Sequence, residues 1–536
     1  MKLSDLLRPL SGKRISIAIP TESHLKDPEI KSIHYDSRKV TPGGIFVAMT
    51  GFHTDGHDHI DDVVGRGAVA VLVDRPVTAP VVAVQVPNTR QSLAALAARF
   101  YGYPSRELVV IGITGTNGKT TTSYLIENIL VAAGLKVGVI GTINYRFGGK
   151  KADAPVTTPE ALDLQQILSR MRAKKVTHVI MEVSSHALAL NRIDECELDV
   201  AVFTNLSQDH LDFHKDMIGY WACKKKLFTE ILSTGSKKAT ARAVINRDDP
   251  RGDQLAQELA LPVVTVGRGK ENSVRPSQVD MGQDGIRGSL YFENNIVGHA
   301  PTHMRFHSAL AGEFNLENIL CAAGACVAVQ IDPDAIRAGI EETRSVPGRL
   351  ERVENHAGIF VYVDYAHTPD ALENTLKTLK RMAGGRLICI AGCGGDRDRA
   401  KRPRMGRIAV GLSDLTILTS DNPRSEPPMV IIEDMLTGIN NGFRPYTADK
   451  LPGSTDRPGY VVEPDRRQAI RLGIGVATHG DTVLIAGKGH ETYQIIAGRR
   501  IPFDDRLEAA KALSQKEAFE PGGLIDDGIR VNCNER

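Results

Sequence analysis

The chain has 536 residues, and its 66 Lys plus Arg against 64 Asp plus Glu leave a formal charge of +2. That balance excludes bulk attraction to nucleic acid or to an anionic membrane, so any anion must be held by local groups. A single Trp among few aromatic residues speaks against stacked-base recognition of single strands, and a length prior of roughly 150 residues per domain calls for several cores.

The opening MKLSDLLRPLSGKR breaks its apolar residues with Asp5 and Arg8, which leaves no signal-peptide core. No later run approaches the ~18 apolar residues of a membrane span. The seven cysteines (196, 223, 321, 326, 389, 393, 533) are scattered without CxxC spacing, so reduced, mostly buried thiols and a cytoplasmic location are expected.

Residues 1–106 read as a small α/β module. IFVAM (45–49), AVAVLV (68–73) and PVVAVQV (80–86) suit strands, and Asn88 to Phe100 has helical apolar spacing. Between them HYDSRKV (34–40) and GFHTDGHDHIDD (51–62) read as polar loops. His53, His57 and His59 cluster in the second, but a Gly-rich loop sets no fixed ligand spacing and no cysteine completes a zinc set.

A second segment, 107–345, opens with LVVIGIT and then GTNGKTTTSY. An aliphatic strand running into a glycine turn and a helix is the construction of a phosphate loop. Gly115 and Gly118 let Thr116, Asn117 and their neighbours turn N–H groups toward an anion. Lys119 can reach outer phosphates, and Thr120, followed by Thr121, can offer a hydroxyl to Mg²⁺. A strict Walker pattern would have Gly where Ile113 stands. The helix is expected over Thr121 to Ala133, closed by Gly134.

VGVIGTI (137–143), HVIMEV (178–183), ELDVAVFTNL (197–206) and ARAVIN (241–246) continue as strands separated by helical patterns, which predicts a mostly parallel sheet. Ligand groups then belong at the strand C-termini, where Glu182, Ser184, Asp209 and His210 fall. Glu182 there calls for a cation. Lys224, in YWACKKKLF, reads locally as part of a solvated basic face. VINRDDP resembles a guanine-reading N-K-x-D only loosely, with Arg247 in the lysine position. Pro262 to Phe306 reads as a β-rich insertion whose His299, His303 and His307 do not lie on a helix. A helix resumes in GEFNLENILCAAGACVAV (312–329), entered through Asn315.

VPGRLERV (346–353) has linker punctuation. A second α/β unit, 346–536, follows: IFVYVD (359–364), RLICIAG (386–392), LTILTS (415–420), YVVEP (460–464) and TVLIAG (482–487). Its strands end in DYAHTPDAL, GCGGDRDRAKRP, DNPR and GKGHE.

These motifs, with MEVSSHAL, NLSQDHLDFH, GEFNLENIL and VPGRLE, closely resemble the Mur ligases of peptidoglycan synthesis over nearly the whole chain. The resemblance implies three α/β domains: a UDP-binding N-terminal domain (1–106), a central P-loop domain (107–345) and a Rossmann-like C-terminal domain (346–536). It implies ATP-dependent amide formation through an acyl phosphate, with Lys119, Glu182, His210 and Lys224 catalytic. Mg²⁺ would be held by Thr120, Glu182, His210 and Lys224, the last as a CO₂-derived carbamate, with Lys225 and Lys226 expected to lower its pKa. Asn315, Arg349 and Asp364 are expected as outlying nucleotide contacts.

For the UDP-MurNAc-L-Ala-D-Glu substrate the resemblance points to Tyr35, Ser37, Phe52, His53, Thr54, Thr157, Thr158, Ser184 and Arg192; Leu190 stands where the family usually has Gln. For meso-diaminopimelate it points to Arg397, Asp421, Asn422, Pro423, Arg424, Gly487 and Glu491, with Arg424 receiving the far carboxylate. A monomer acting on small molecules is expected. The competing readings are a lysine-adding or folylpolyglutamate-synthase-like ligase and, from another class, a P-loop switch.

Overall fold

Three main β-sheets, each flanked by helices, organise the computed structural model, which describes residues 1–11, 15–19, 26–51, 54–293, 302–451 and 457–519. The chain divides into two compact units. One comprises Met1–Asp280, Ile286–Ser308 and Phe314–Thr343; the other comprises Met281–Gly285, Ala309–Glu313 and the chain from Arg344 onward.

In the first unit a five-stranded sheet runs Ser16–Ala18, Val82–Gln85, Ala70–Val73, Gly44–Val47, Ser32–His34, parallel apart from its first strand. The inner strands Gly44–Val47 and Ala70–Val73 are buried at every position, as continuous apolar runs covered on both faces require. The helix Thr89–Phe100 packs on this sheet. Its cap is Asn88, whose side chain accepts from Gln91 N. The polar stretch read as a loop is instead a 3₁₀ turn Gly56–His59 leading into the helix Ile60–Gly65. Asp55 caps it by accepting from His57 N, a local bond that the composition hid.

The same unit holds an eleven-stranded sheet. Its order is Thr302–Ser308, Gly285–Phe292, Val274–Gly282, Val263–Val266, Arg242–Asn246, Val200–Phe203, Val109–Thr114, His178–Glu182, Val137–Ile140, Asn144–Phe147, Lys150–Asp153. The strands from Val263–Val266 through Val137–Ile140 are parallel, and antiparallel hairpins extend both edges. The expected β-rich insertion is one of these extensions. In Thr302–Ser308 the residues His303, Arg305 and His307 are exposed while Met304, Phe306 and Ser308 are buried, a period of two.

The second unit holds a seven-stranded sheet in the order Glu351–Val353, Phe360–Asp364, Thr482–Ala486, Leu387–Ala391, Leu415–Leu418, Gly459–Val462, Arg444–Pro445, parallel except for its first strand. The last three of the eight residues of the expected linker are therefore a strand: Glu351–Val353 pairs antiparallel with Phe360–Asp364 and gives the sheet its edge. A separate hairpin, Tyr493–Ile496 with Arg499–Pro502, had no sequence expectation at all. Among the described residues no helix is long and apolar enough to cross a membrane. Six cysteines are free and buried, and Cys533 lies outside the described residues.

Candidate active site

Val109–Thr114 is the central strand, and the phosphate loop leaves its C-terminal end into the helix Lys119–Ala132. Gly118 caps that helix at φ +86°, and a Cβ there would lie 2.2 Å from Asn318 Oδ1. At Gly115 a Cβ would lie 1.9 Å from Thr204 Oγ1. Both positions are closed to other residues, Gly118 by the helix Glu313–Ala328 and Gly115 by the end of the strand Val200–Phe203. Thr116 N donates to Asn205 O, Asn117 N donates to Asn205 Oδ1, and Thr204 Oγ1 donates to Asn117 O at 2.6 Å. The helix begins two residues before its expected start, because Lys119 and Thr120 already have helical geometry after the glycine cap.

Two lysines meet at this loop. Lys119 Nζ donates to the carbonyls of Gly115 and Thr116, each at 2.8 Å, and Lys224 Nζ donates to Gly115 O at 2.8 Å. Lys224 is 1 % exposed, on the helix Met217–Lys226. The solvated basic face expected locally is therefore wrong for this residue. Burial first, and the nearby Lys119 ammonium second, hold its pKa well below the ordinary lysine value. The expected help from Lys225 is not present: Lys225 pairs with Glu258 instead. A helix presents successive residues about 100° apart, so three adjacent lysines cannot share one environment.

Glu182 ends its strand 1 % exposed. Oε2 accepts from Thr120 Oγ1 at 2.9 Å and Thr142 Oγ1 at 2.8 Å, and Oε1 accepts from Thr142 N at 3.0 Å. Among the described residues no cationic side chain pairs with it, and its protein partners are hydroxyls and an amide. A buried carboxylate beside a threonine hydroxyl, with only neutral donors, fits a hard divalent cation such as Mg²⁺. Thr142 was missed by sequence reading, since it follows a strand with no motif of its own.

His210 caps the short helix Leu211–His214 at φ +53°. Its ring lies edge-on to His186, 4.9 Å between centres, while His186 also packs at 4.2 Å on Phe213. His214 Nε2 hydrogen-bonds Ser185 Oγ at 2.9 Å. Among the described residues no three or more His, Cys, Asp or Glu side chains are grouped so as to hold a metal ion. His57 is held between Asp55, 2.6 Å from its Nδ1, and Asp74, 3.1 Å from its Nε2.

Residues expected at the uridine nucleotide substrate do converge. Thr158 Oγ1 donates to Glu182 O at 2.8 Å and accepts from Ser184 N at 3.1 Å. Arg192 Nη1 donates to Thr158 O at 3.1 Å, and Thr157 meets Thr142 hydroxyl to hydroxyl at 3.1 Å. Ser184 caps the helix Ser185–Ala189, and the half-buried Leu190 ends it. Glu160, not singled out from sequence, bridges Arg192 at 3.3 Å and Arg90 at 3.4 Å. Tyr35 donates to Asp163 across the two sheets of the unit, and half-buried Ser37 opens a 3₁₀ turn capped by Asp36. Thr54 is exposed and its carbonyl accepts from Gly51 N; Phe52 and His53 lie outside the described residues.

Asn315 is buried in the helix Glu313–Ala328, which starts two residues ahead of the expected entry. It accepts from Asn318 Nδ2 at 3.1 Å, and Asn318 is the residue that faces Gly118. Arg349 and Asp364 belong to the second unit. There Asp364 accepts from Leu350 N at 2.6 Å, and burial raises its pKa despite nearby Arg349, whose guanidinium covers the Tyr365 ring at 4.7 Å.

The DNPR stretch lies beyond Leu415–Leu418 in the same unit. Arg424 has φ +54° and forms a bridge with Ile496: its N–H donates to Ile495 O at 2.9 Å, and Gly498 N–H donates to Arg424 O at 3.3 Å. Its Nη1 donates to Gly395 O at 2.7 Å, in the GCGGDRD turn. The unexpected hairpin thus fixes Arg424. Gln494 Nε2 donates to Asp421 O at 2.7 Å, and a Cβ on Gly487 would lie 2.5 Å from Asp421 Oδ2. Buried Pro423 lends its carbonyl to Glu426 N, Asn422 Nδ2 donates to Glu491 Oε2 at 2.7 Å, and Arg397 is exposed with Nη1 on Asp396 O. Lys488, completely buried between Asn422 and Glu491, was not singled out from sequence. Next to it, burial and the cations around it push His490 down to about 3, so its imidazole is neutral.

Fold and site define an α/β protein with a phosphate loop in one unit and a guanidinium-centred polar site in the other. Family models match in chain order: Mur ligase family, catalytic domain, over residues 29–101; Mur ligase middle domain over 113–326; and Mur ligase, glutamate ligase domain over 348–489. The chain belongs to the Mur ligase family. It is 49% identical over 518 residues to the UDP-N-acetylmuramoyl-L-alanyl-D-glutamate--2,6-diaminopimelate ligase of Geobacter metallireducens, covering 96% of this chain and 99% of that one. It is 43% identical to the protein of that name from Geobacillus thermodenitrificans, covering 96% and 100%. A solved structure bearing that name aligns with a TM-score of 0.63 at 32% identity, over 91% of this chain and 95% of the other.

Proposed function

We propose that the protein is an ATP-dependent ligase that joins meso-diaminopimelate to UDP-MurNAc-L-Ala-D-Glu, with domain boundaries near residues 106 and 345. The observation that carries the reading is the meeting of Lys119 and Lys224 at Gly115 O, beside the buried Glu182. A plain phosphate loop needs only the first lysine. The full-length likeness to proteins of that name supports the choice of substrates.

In this reading the γ-carboxylate of D-Glu attacks the γ-phosphorus of ATP, the bond to the bridging oxygen breaks, and ADP leaves. The amine of diaminopimelate then attacks the acyl carbon, phosphate departs, and the amine gives up its proton. Phosphoryl transfer needs positioning and charge neutralisation. Loop N–H groups and Lys119 swung off Gly115 O would supply both, with Asn315, Arg349 and Asp364 as the outlying nucleotide contacts. Thr120, Glu182, His210 and Lys224 would hold Mg²⁺, which when bound screens the phosphate charge. Lys224 can take part only without its proton, and CO₂ addition to the neutral amine would give it two carbamate oxygens; its burial and lowered pKa support that.

Tyr35, Ser37, the Phe52–Thr54 loop, Thr157, Thr158, Ser184 and Arg192 are assigned to the nucleotide-sugar dipeptide. Arg424 is assigned to the far carboxylate of diaminopimelate, with Arg397, Asp421, Asn422, Pro423, Gly487 and Glu491 around its other groups. Free buried thiols and the need for ATP favour a cytoplasmic location, and the protein is taken to act as a monomer.

The test is phosphate release from ATP and Mg²⁺ with UDP-MurNAc-L-Ala-D-Glu, comparing meso-diaminopimelate, L-lysine and no amine. Release with diaminopimelate alone is expected. Release with lysine overturns the amine assignment, and release indifferent to every amine returns the chain to the plain ATPases.

A further inference from the structure

We infer that Lys488 is the positioning residue of the amine subsite, fixing Glu491 and Asn422 against each other; the inference rests on the ligase reading above. Lys488 is completely buried, with Nζ 3.2 Å from Asn422 Oδ1 and 3.0 Å from Glu491 Oε2, and 5.6 Å from the centre of the Tyr493 ring. An ammonium and a backbone N–H can only donate. Because Lys488 Nζ and Ile495 N, at 3.0 Å, both face the same amide atom of Asn422, that atom must be the oxygen. Nδ2 therefore points at Glu491 Oε2, 2.7 Å away.

The backbone of Asn422 is equally occupied. Its N–H donates to Asp421 Oδ1 at 2.6 Å, and its carbonyl accepts from Gly395 N at 2.9 Å. Asn422 keeps one N–H of Nδ2 to offer. Glu491 differs. Oε2 takes both Lys488 and Asn422, whereas Oε1 receives no hydrogen bond from the described residues, and the side chain is 18 % exposed. One carboxylate oxygen is pinned by a buried cation and the other is left open toward solvent. That division suits a group that waits for a substrate ammonium, with Lys488 and Asn422 fixing where it points.

The chain also places Lys488 well for this role. It lies in GKGHE, two residues past the strand Thr482–Ala486, while Asn422 follows Leu415–Leu418. One buried ammonium thus ties together two strand ends that contribute to the subsite. Removing it frees Glu491 to rotate and deprives Asn422 Oδ1 of a donor, yet leaves Arg424 on its hairpin.

The experiment compares steady-state constants of the full-length enzyme with those of Lys488→Met, which keeps the apolar stem and deletes the charge. KM for meso-diaminopimelate is expected to rise by roughly tenfold or more. KM for UDP-MurNAc-L-Ala-D-Glu should stay within about twofold, since the residues assigned to it all belong to the other unit. Lys488→Gln, which can still donate to Asn422, should fall between the two and serves as the readout if Lys488→Met does not fold. An unchanged KM for the amine, or a parallel rise in KM for the amine and for UDP-MurNAc-L-Ala-D-Glu, overturns the inference. Failure of the ligase reading is separately visible: the parent enzyme would then show no amine-dependent phosphate release before any variant is made.

Discussion

Lys119 and Lys224 donate to one and the same acceptor, Gly115 O, each from 2.8 Å. Two ammonium groups on one carbonyl repel each other, and the repulsion grows as water is excluded. Lys224 is the buried member, so it is the one whose pKa is held well below the ordinary lysine value. The phosphate loop thereby acquires a second lysine whose charged form is disfavoured, which an ordinary phosphate loop lacks.

Lys224 should therefore cost stability. Its native pKa lies below the ordinary lysine value of 10.5, so between the two the unfolded chain binds more protons and stability rises with pH. Lys224→Met is expected to melt higher than the parent at pH 7 while losing phosphate release, with the gap closing toward pH 10. A variant that melts lower at pH 7 would show that the lysine is charged and paired in the native state.

Thr142 holds both oxygens of Glu182 through its N–H and hydroxyl. Thr142→Val keeps the shape and the N–H bond but removes the hydroxyl donor, a loss of about 1–2 kcal/mol. Activity should fall roughly tenfold, with the Mg²⁺ requirement shifted to higher concentration. An unaltered Mg²⁺ titration would mean that Glu182 is set by its other partners alone.

Arg424 is expected to choose the amine. A lysine side chain in place of diaminopimelate leaves the guanidinium without its charged partner, a penalty of about 2–4 kcal/mol. Arg424→Met should lose most of the preference for diaminopimelate over L-lysine, read as the ratio of kcat/KM values. Retention of the full ratio would move specificity elsewhere in the unit.

Arg466 and Asp505 form a bidentate pair with both side chains completely buried. Arg466 also donates to Ser420 O and Ala486 O, the residues just before DNPR and GKGHE. Asp505→Ala strands a buried guanidinium and should destabilise this unit by about 3–5 kcal/mol. Denaturant unfolding followed in this unit should show it, with poorer diaminopimelate binding near the transition. A change below about 1 kcal/mol would show that the carbonyls alone satisfy Arg466.

Much of the architecture was legible in the chain because it depends on local repetition. The strands Val109–Thr114, His178–Glu182, Leu387–Ala391 and Thr482–Ala486 are runs of aliphatic residues with no polar interruption, and such runs suit parallel strands covered on both faces. A glycine directly follows three of them, at Gly115, Gly392 and Gly487, which marked the phosphate loop and two of the polar strand ends. The misreadings share a cause as well. Glu351–Val353 is short and polar, and becomes a strand only because Phe360–Asp364 offers an edge. Residues 56–65 turn helical through the Asp55 cap, and the hairpin from Tyr493 to Pro502 has only the three apolar residues Ile495 to Ala497 in a row, with a polar second strand.

The sequence by itself determined the family, the apolar central strands of the sheets and the chemical type of each candidate group, since these follow from residue identity and spacing along one chain. Tertiary structure decided which of those groups lose water and which carry charge. The lysine that reads as a surface cation is buried against Gly115, and the one in GKGHE is locked between Asn422 and Glu491. Desolvation and the distance to another charge set a side chain's protonation, and both depend on residues far away in the chain.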